Sequence, residues 1–364
     1  MSDGRVYFEG NRNNNFGFLR LLFAALVVVS HSPELVDGNR SREILTQTFG
    51  TMSFGEVAVD GFFLISGYLI TKSFIESRST SSYLSKRFLR IVPGYLVSFW
   101  ICVLLIAPFV VADSSVLSAE TIRNQLLRTL RLAAPDVPGT FQGLPYPALN
   151  GPMWTIAYEF RCYLAAAVFG LLGVYKPRYR VSVLVVVTFL LFLNAAGAMR
   201  NVHIVGTALI GSAELDTRFA AVFGVGALYF LYRDKVRLTG SGALVAATLL
   251  AILLFSRHFA EFAYAILGGY LIFWFAFKFH ILRASRFNNK ADISYGLYLY
   301  AWPIQNLIIW TSRDINPWIL CFMTLLGASL LAYLSWTFVE RPALQLTRKR
   351  HRTFPLGQVA GESE

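Results

Sequence analysis

The sequence predicts an all-α integral membrane protein with about ten transmembrane helices and both termini cytoplasmic. Three observations lead there. The 364 residues are 55% hydrophobic and only 15% charged, with a mean hydropathy of +0.52, whereas a soluble domain carries about 25% charged residues. The apolar residues gather in blocks of roughly 17 to 25, enough to cross about 30 Å of hydrocarbon at 1.5 Å per residue, and they lack the alternation of barrel strands. Finally, Lys and Arg are distributed unequally between successive loops, and they accumulate on the cytoplasmic side.

The first block, about 17 to 33 (FGFLRLLFAALVVVSHS), is apolar except for Arg20 and His31. It is not followed by a small-residue cleavage site, so it is expected to stay in the mature protein. The second, about 54 to 76, contains Asp60, and the third, about 88 to 112, opens from the basic stretch SSYLSKRFLRIVPGYL. The fourth, about 152 to 174, carries Glu159 and Arg161; the fifth and sixth, about 181 to 198 and 217 to 232, follow a basic loop and an outer loop. The remaining four lie at about 239 to 256, 260 to 279, 292 to 311 and 317 to 338.

With the N-terminus inside, the inner segments hold about 21 Lys and Arg residues and the outer loops about 8, which sets the orientation. The net charge of +12 is thereby explained by orientation and contact with anionic lipid, and gives no argument for nucleic-acid binding. The longest loop, about 113 to 150, is outer and ends in PDVPGTFQGLPYP, a Pro- and Gly-rich composition that argues against a folded domain. Residues 1–16 form a cytoplasmic N-terminal segment, 17–343 the membrane domain, and 344–364 a short tail expected to be disordered. Cys102, Cys162 and Cys321 all fall within spans and lack metal-ligand spacing, so they read as packing residues, and no metal site is indicated. Phosphate-binding Gly loops, nucleophile elbows and zinc-protease motifs are absent from the sequence.

Polar residues inside a span are costly and mark candidate sites. His31 is the only histidine in a span; His203, His258, His280 and His351 fall in loops, at span edges or in the tail. Arg20 precedes it by eleven residues, a rise of about 16 Å, which puts the cation toward the cytoplasm and the imidazole toward the outside. Either residue could also simply reach water or headgroups from its end of the helix. Asp60 and Glu159 lie at the outer depth of His31, either to orient the ring for proton transfer or to form an ion pair with Arg161. Arg87 and Arg90, three apart, share a helix face on the inner side and suit bidentate phosphate contacts.

The stretches GFLRLLFAALVVVSHS, AVDGFFLISGYLI, KRFLRIVPGYL, NGPMWTIAYEFRCYL, ISYGLYLYAWPIQ and FVERPA resemble, in order and spacing, the landmarks of the acyltransferase 3 family. These are membrane acyltransferases that O-acylate bacterial surface polysaccharides and related glycans, and the resemblance runs from about residue 14 to residue 343. It implies a ten-helix core in the bacterial cytoplasmic (inner) membrane. It also implies acyl-CoA, most simply acetyl-CoA, as a cytoplasmic co-substrate rather than a tightly bound cofactor, and transfer to a sugar hydroxyl of a free or lipid-linked glycan.

By the same resemblance the family's Arg and His fall on Arg20 and His31, its Arg-x-x-Arg on Arg87 and Arg90, its acid on Glu159, and its Val-Asp-x-Phe-Phe on Val59 to Phe63 with Asp60. The implied roles are catalytic for His31, Glu159 and Asp60, and donor-binding for Arg20, Arg87 and Arg90. One departure is Ala301, where many members carry His before Trp-Pro. The chain also lacks the extracytoplasmic hydrolase-like domain of some relatives. A proton-coupled secondary transporter would use the same buried charges, with Pro93, Gly94 and Pro303 as helix breaks, but the two halves of this sequence show no mutual similarity.

Overall fold

The computed structural model describes residues 14–111, 114–200, 202, 211–279 and 291–352, and all regular structure among them is helical. Twelve helices concern the site: α1 (Phe16–Asp37), α2 (Phe54–Ile75), α3 (Thr80–Val110), α4 (Ala119–Leu130), α5 (Thr155–Leu171), α6 (Arg180–Ala195), α7 (Ala213–Leu231), α8 (Gly240–Leu253), α9 (Ala260–Lys278), α10 (Ser294–Thr311), α11 (Pro317–Ser335) and α12 (Arg341–Arg352). Each of the ten apolar blocks coincides with one of these. Six helical stretches among the described residues are long and apolar enough to cross a membrane: α1, α2, α3, α6 with the turn before it, α9, and α11 continued into α12.

α1 and α10 are central. α1 packs against α2, α10 and α11, and α10 against α11 and α3. Pro33 cannot donate to the preceding turn of α1, and side chains hold that turn instead. Ser32 Oγ donates to the Val28 carbonyl at 2.7 Å, and Gln305 Nε2 donates to the same carbonyl at 3.2 Å and to Ser32 Oγ at 3.0 Å. The helix ends where Gly38 takes a left-handed φ of 77° and its N–H bonds Glu34 O. α2 begins with a capping box in which Ser53 and Glu56 satisfy each other's backbone N–H.

α2 and α7 cross at backbone contact. A methyl group on Gly67 would lie 2.0 Å from the Phe223 carbonyl oxygen, and one on Gly226 would lie 2.1 Å from that of Leu64. Small residues allow helices to approach this closely in lipid. Elsewhere the outer faces carry exposed apolar side chains such as Leu105, Phe109, Leu184, Phe189, Leu244 and Leu326, as expected where the solvent is hydrocarbon.

One expectation changes. The 113–150 loop contains α4, and its Pro- and Gly-rich end is packed rather than loose. Phe141 and Leu149 are buried, and α10 straps the segment down. Trp302 Nε1 donates to Ala148 O at 2.9 Å, Asn306 Nδ2 to Tyr146 O and Ala148 O at 3.1 and 2.9 Å, and Asn150 Nδ2 to Leu299 O at 2.7 Å. Composition predicts weak local structure correctly but is blind to donors on a distant helix. At the other end a π-helical turn over Trp336–Glu340 carries α11 into α12, which is described to Arg352. His203, His280, Arg283, Arg286, Lys290 and residues 353–364 lie outside the described residues.

Candidate functional site

Two cavities open inside the helix bundle, one at the Arg20 end of α1 and one at the His31 end. The first, about 110 Å³, is lined by Arg20, Arg87, Arg90, Glu159, Tyr163 and Ser66 among others. α3 supplies Arg87 and Arg90 one turn apart, so both face the same space. Arg90 and Arg20 converge on Asp292, with N–O distances of 2.6 and 3.1 Å, and Ser294 Oγ donates to the same carboxylate at 2.5 Å. Arg87 forms no ion pair among the described residues, and its buried Nε has no hydrogen-bond partner. A guanidinium in this state is an open seat for an anion with planar oxygens. Glu159 accepts from Ser66 Oγ at 3.0 Å and from the Tyr163 hydroxyl at 2.5 Å, so this carboxylate is held from two sides.

The second cavity, about 360 Å³, is lined by His31, Glu34, Arg40, Glu56, Trp302 and Arg218 among others. His31 Nδ1 lies 3.1 Å from Glu34 Oε2, one turn further along α1. A carboxylate can only accept, so Nδ1 is the donor in this contact, and in the neutral imidazole Nε2 is then the acceptor. The imidazole also meets the Trp302 ring edge-on, with centroids 5.0 Å apart and planes at 82°, and Trp302 is itself anchored through Ala148 O. Ring orientation and tautomer are both set, which is what a general base needs. Ala301, the departure noted in the sequence, is buried in α10 beside this Trp.

The cavities share three wall residues: Val59, Thr155 and Tyr298. The Tyr298 hydroxyl is 2.7 Å from Thr155 Oγ1 and donates to Pro152 O at 2.8 Å, which ties α10 to the first turn of α5. These residues form a septum common to both cavities.

The six residues selected from the sequence therefore divide. Arg20, Arg87, Arg90 and Glu159 stand together around one cavity, and His31 lines the other. The carboxylate on the imidazole is Glu34, not Glu159 or Asp60. Asp60 is fully buried and bonded to Arg218 Nη2 at 3.0 Å, and Arg218 Nη1 reaches Glu261 at 3.3 Å. Arg161, the partner considered for either acid, pairs with Asp216 at 2.6 Å. Sequence reasoning passed over Glu34, Asp292, Tyr298, Trp302 and Arg218. Three of these carry a local signal: Glu34 by its i,i+3 spacing from His31, just past the end of the first apolar block, and Arg218 and Asp292 as charges at the starts of the sixth and ninth blocks.

The helices and cavities define a membrane-embedded protein with an interior polar site reached from two ends. The chain belongs to the acyltransferase 3 family, whose acyltransferase domain matches residues 13–337. It is similar to the "O-acetyl transferase" of Shigella phage Sf6, at 28% identity over 91% of this chain and 96% of the relative. It is also similar to "Nodulation protein 10" of Rhizobium leguminosarum bv. viciae, at 28% identity over 95% and 97%. A partial likeness to "Acyltransferase MdmB" of Streptomyces mycarofaciens covers 39% of this chain and 35% of the relative, again at 28% identity. No solved structure matches the chain.

Proposed function

We propose that this protein is an integral O-acyltransferase of the bacterial cytoplasmic membrane. It takes an acyl group, most simply acetyl, from cytoplasmic acyl-CoA and transfers it to a sugar hydroxyl of a surface or exported glycan. Family membership and the relative named as an O-acetyl transferase support the reaction class. The observation that carries the two-substrate reading is the pair of cavities meeting at Val59, Thr155 and Tyr298, one basic and one built around an oriented imidazole.

In this reading ten helices span the membrane with both termini cytoplasmic, so the basic cavity opens inward. Arg87, with Arg20 and Arg90 beside it, takes the CoA phosphates, and the pantetheine arm runs toward the septum. From the other side the acceptor hydroxyl approaches His31 Nε2. The imidazole takes its proton as the oxygen attacks the thioester carbonyl; the tetrahedral intermediate collapses, the C–S bond breaks, and the imidazolium returns the proton to the CoA thiolate. Glu34 stabilises the transient imidazolium. Glu159 shapes the donor cavity through Ser66 and Tyr163, and Asp60 acts by holding Arg218 on the acceptor wall.

Purified protein in nanodiscs with acetyl-CoA and glycan should release free CoA and yield an acetylated sugar. His31→Gln should still bind acetyl-CoA but lose about 100-fold or more in transfer, the scale of a lost general base. Transfer by the Gln variant at near the wild-type rate would remove His31 from the mechanism. Trapping an acyl-histidine would replace direct attack with two successive transfers through the same residue.

A further inference from the structure

The charged groups on the wall of the imidazole cavity are already engaged with one another. Arg40 stands 3.8 Å from Glu56 and donates to Ser53 Oγ at 3.3 Å; Arg218 is shared between Asp60 and Glu261; Glu34 holds His31. Two carboxylates, Glu34 and Glu56, line the cavity with two guanidiniums, Arg40 and Arg218, and Arg218 is neutralised from behind by Asp60 and Glu261. The basic cavity is lined by Arg20, Arg87 and Arg90 against Glu159, with Asp292 paired to Arg20 and Arg90, and Arg87 forms no ion pair among the described residues.

Trp154 also lines the imidazole cavity and keeps 40% of its surface exposed. Its ring is braced by Phe219, with centroids 5.8 Å apart, and edge-on by Tyr158 at 5.5 Å. A fixed indole with an open part is a platform for the C–H face of a sugar ring, whose weakly positive hydrogens meet the negative π face.

We propose that this cavity selects an uncharged sugar, stacked on Trp154, and rejects sugars that bear a carboxylate. The inference rests on the reading of this cavity as the acceptor site. A uronate would bring a third carboxylate to a wall whose two guanidiniums are each already paired with carboxylates, and like charges brought together here suppress the wrong partner. A neutral sugar meets complementary groups instead: its hydroxyls donate to Glu34 and Glu56.

The test is equilibrium binding by calorimetry, without acyl donor, to protein in zwitterionic nanodiscs. The probes are neutral oligomers of glucose, rhamnose and N-acetylglucosamine, set against glucuronate and galacturonate oligomers of equal length. At least one neutral oligomer should bind about tenfold or more tightly than any uronate. Trp154→Ala should weaken that binding about tenfold, the scale of a lost stacking contact, and Trp154→Phe should keep most of it. Glu56→Gln, which preserves the capping box, should narrow the gap between neutral and acidic sugars. Uronates binding as well as or better than every neutral oligomer would overturn the inference and leave the glycan reading standing. Protein that binds acetyl-CoA but none of the sugars would overturn both. An unchanged Trp154→Ala would remove the platform.

Discussion

His31 and Glu34 face each other at 3.1 Å across one turn of α1, so a single helix supplies both the imidazole and the carboxylate that orients it. Gln keeps the size of the buried Glu34 and removes only its charge. Glu34→Gln should leave acyl-CoA binding and folded yield unchanged while lowering turnover about tenfold to 100-fold, less than His31→Gln. Steady-state kinetics on both variants checks the order. A Glu34→Gln enzyme with unaltered turnover would show that the imidazole needs no orienting acid.

Arg87 and Arg90 occupy one face of α3 but differ in what they hold. Arg87→Lys should weaken acyl-CoA binding by about 1 to 3 kcal/mol, the worth of a hydrogen bond to a charged group, with no loss of thermal stability. Arg90→Lys should lower the melting temperature as well, because its partner Asp292 is largely buried. Donor affinity and thermal melts of the two variants separate these effects. Equal stability loss in both would deny the difference.

Asp60 has no solvent contact and depends on Arg218. Arg218→Met strands a buried carboxylate and should cost about 3 to 5 kcal/mol. Replacing both residues by apolar ones should recover most of that, since breaking a buried pair is costlier than deleting it. Thermal unfolding of the single and double variants gives the comparison. A double variant no more stable than Arg218→Met would mean that the loss comes from packing or from Glu261 instead.

The α2–α7 crossing predicts a sharp difference among glycines. Gly67→Ala and Gly226→Ala each drive a methyl group into a backbone carbonyl at about 2 Å and should abolish monodisperse folded protein. Gly327→Ala meets nothing closer than 3.7 Å and should express normally. Size-exclusion profiles in detergent read this directly.

Orientation can be measured independently of catalysis. Cysteines placed at Gln142 and in the 278–290 loop should label from opposite sides of intact cells, the first from outside and the second only after permeabilisation. The reverse pattern would invert donor and acceptor sides and with them the proposed course of the reaction.

What the sequence by itself determined is the helical membrane class, the blocks that become helices, and several of the charged residues that line the interior. Those features are local: an apolar run long enough for hydrocarbon, or a cation within one, can be read without knowing its neighbours. Arg20, Arg87 and Arg90 were selected that way and do meet around one cavity. Partnership was not legible, because it depends on how helices rotate and cross. Depth along the membrane normal brought Asp60 and Glu159 level with His31, yet α2 turns Asp60 toward Arg218 on α7 and α5 turns Glu159 toward Ser66 and Tyr163. α7, which brings Arg218 to Asp60, is the helix whose backbone meets α2 at Gly67 and Gly226. The strapped 113–150 segment has the same origin: Trp302 and Asn306 supply from α10 the donors that its own Pro- and Gly-rich composition lacks. Sequence spacing reports which residues share a helix face, and only tertiary packing decides what that face meets.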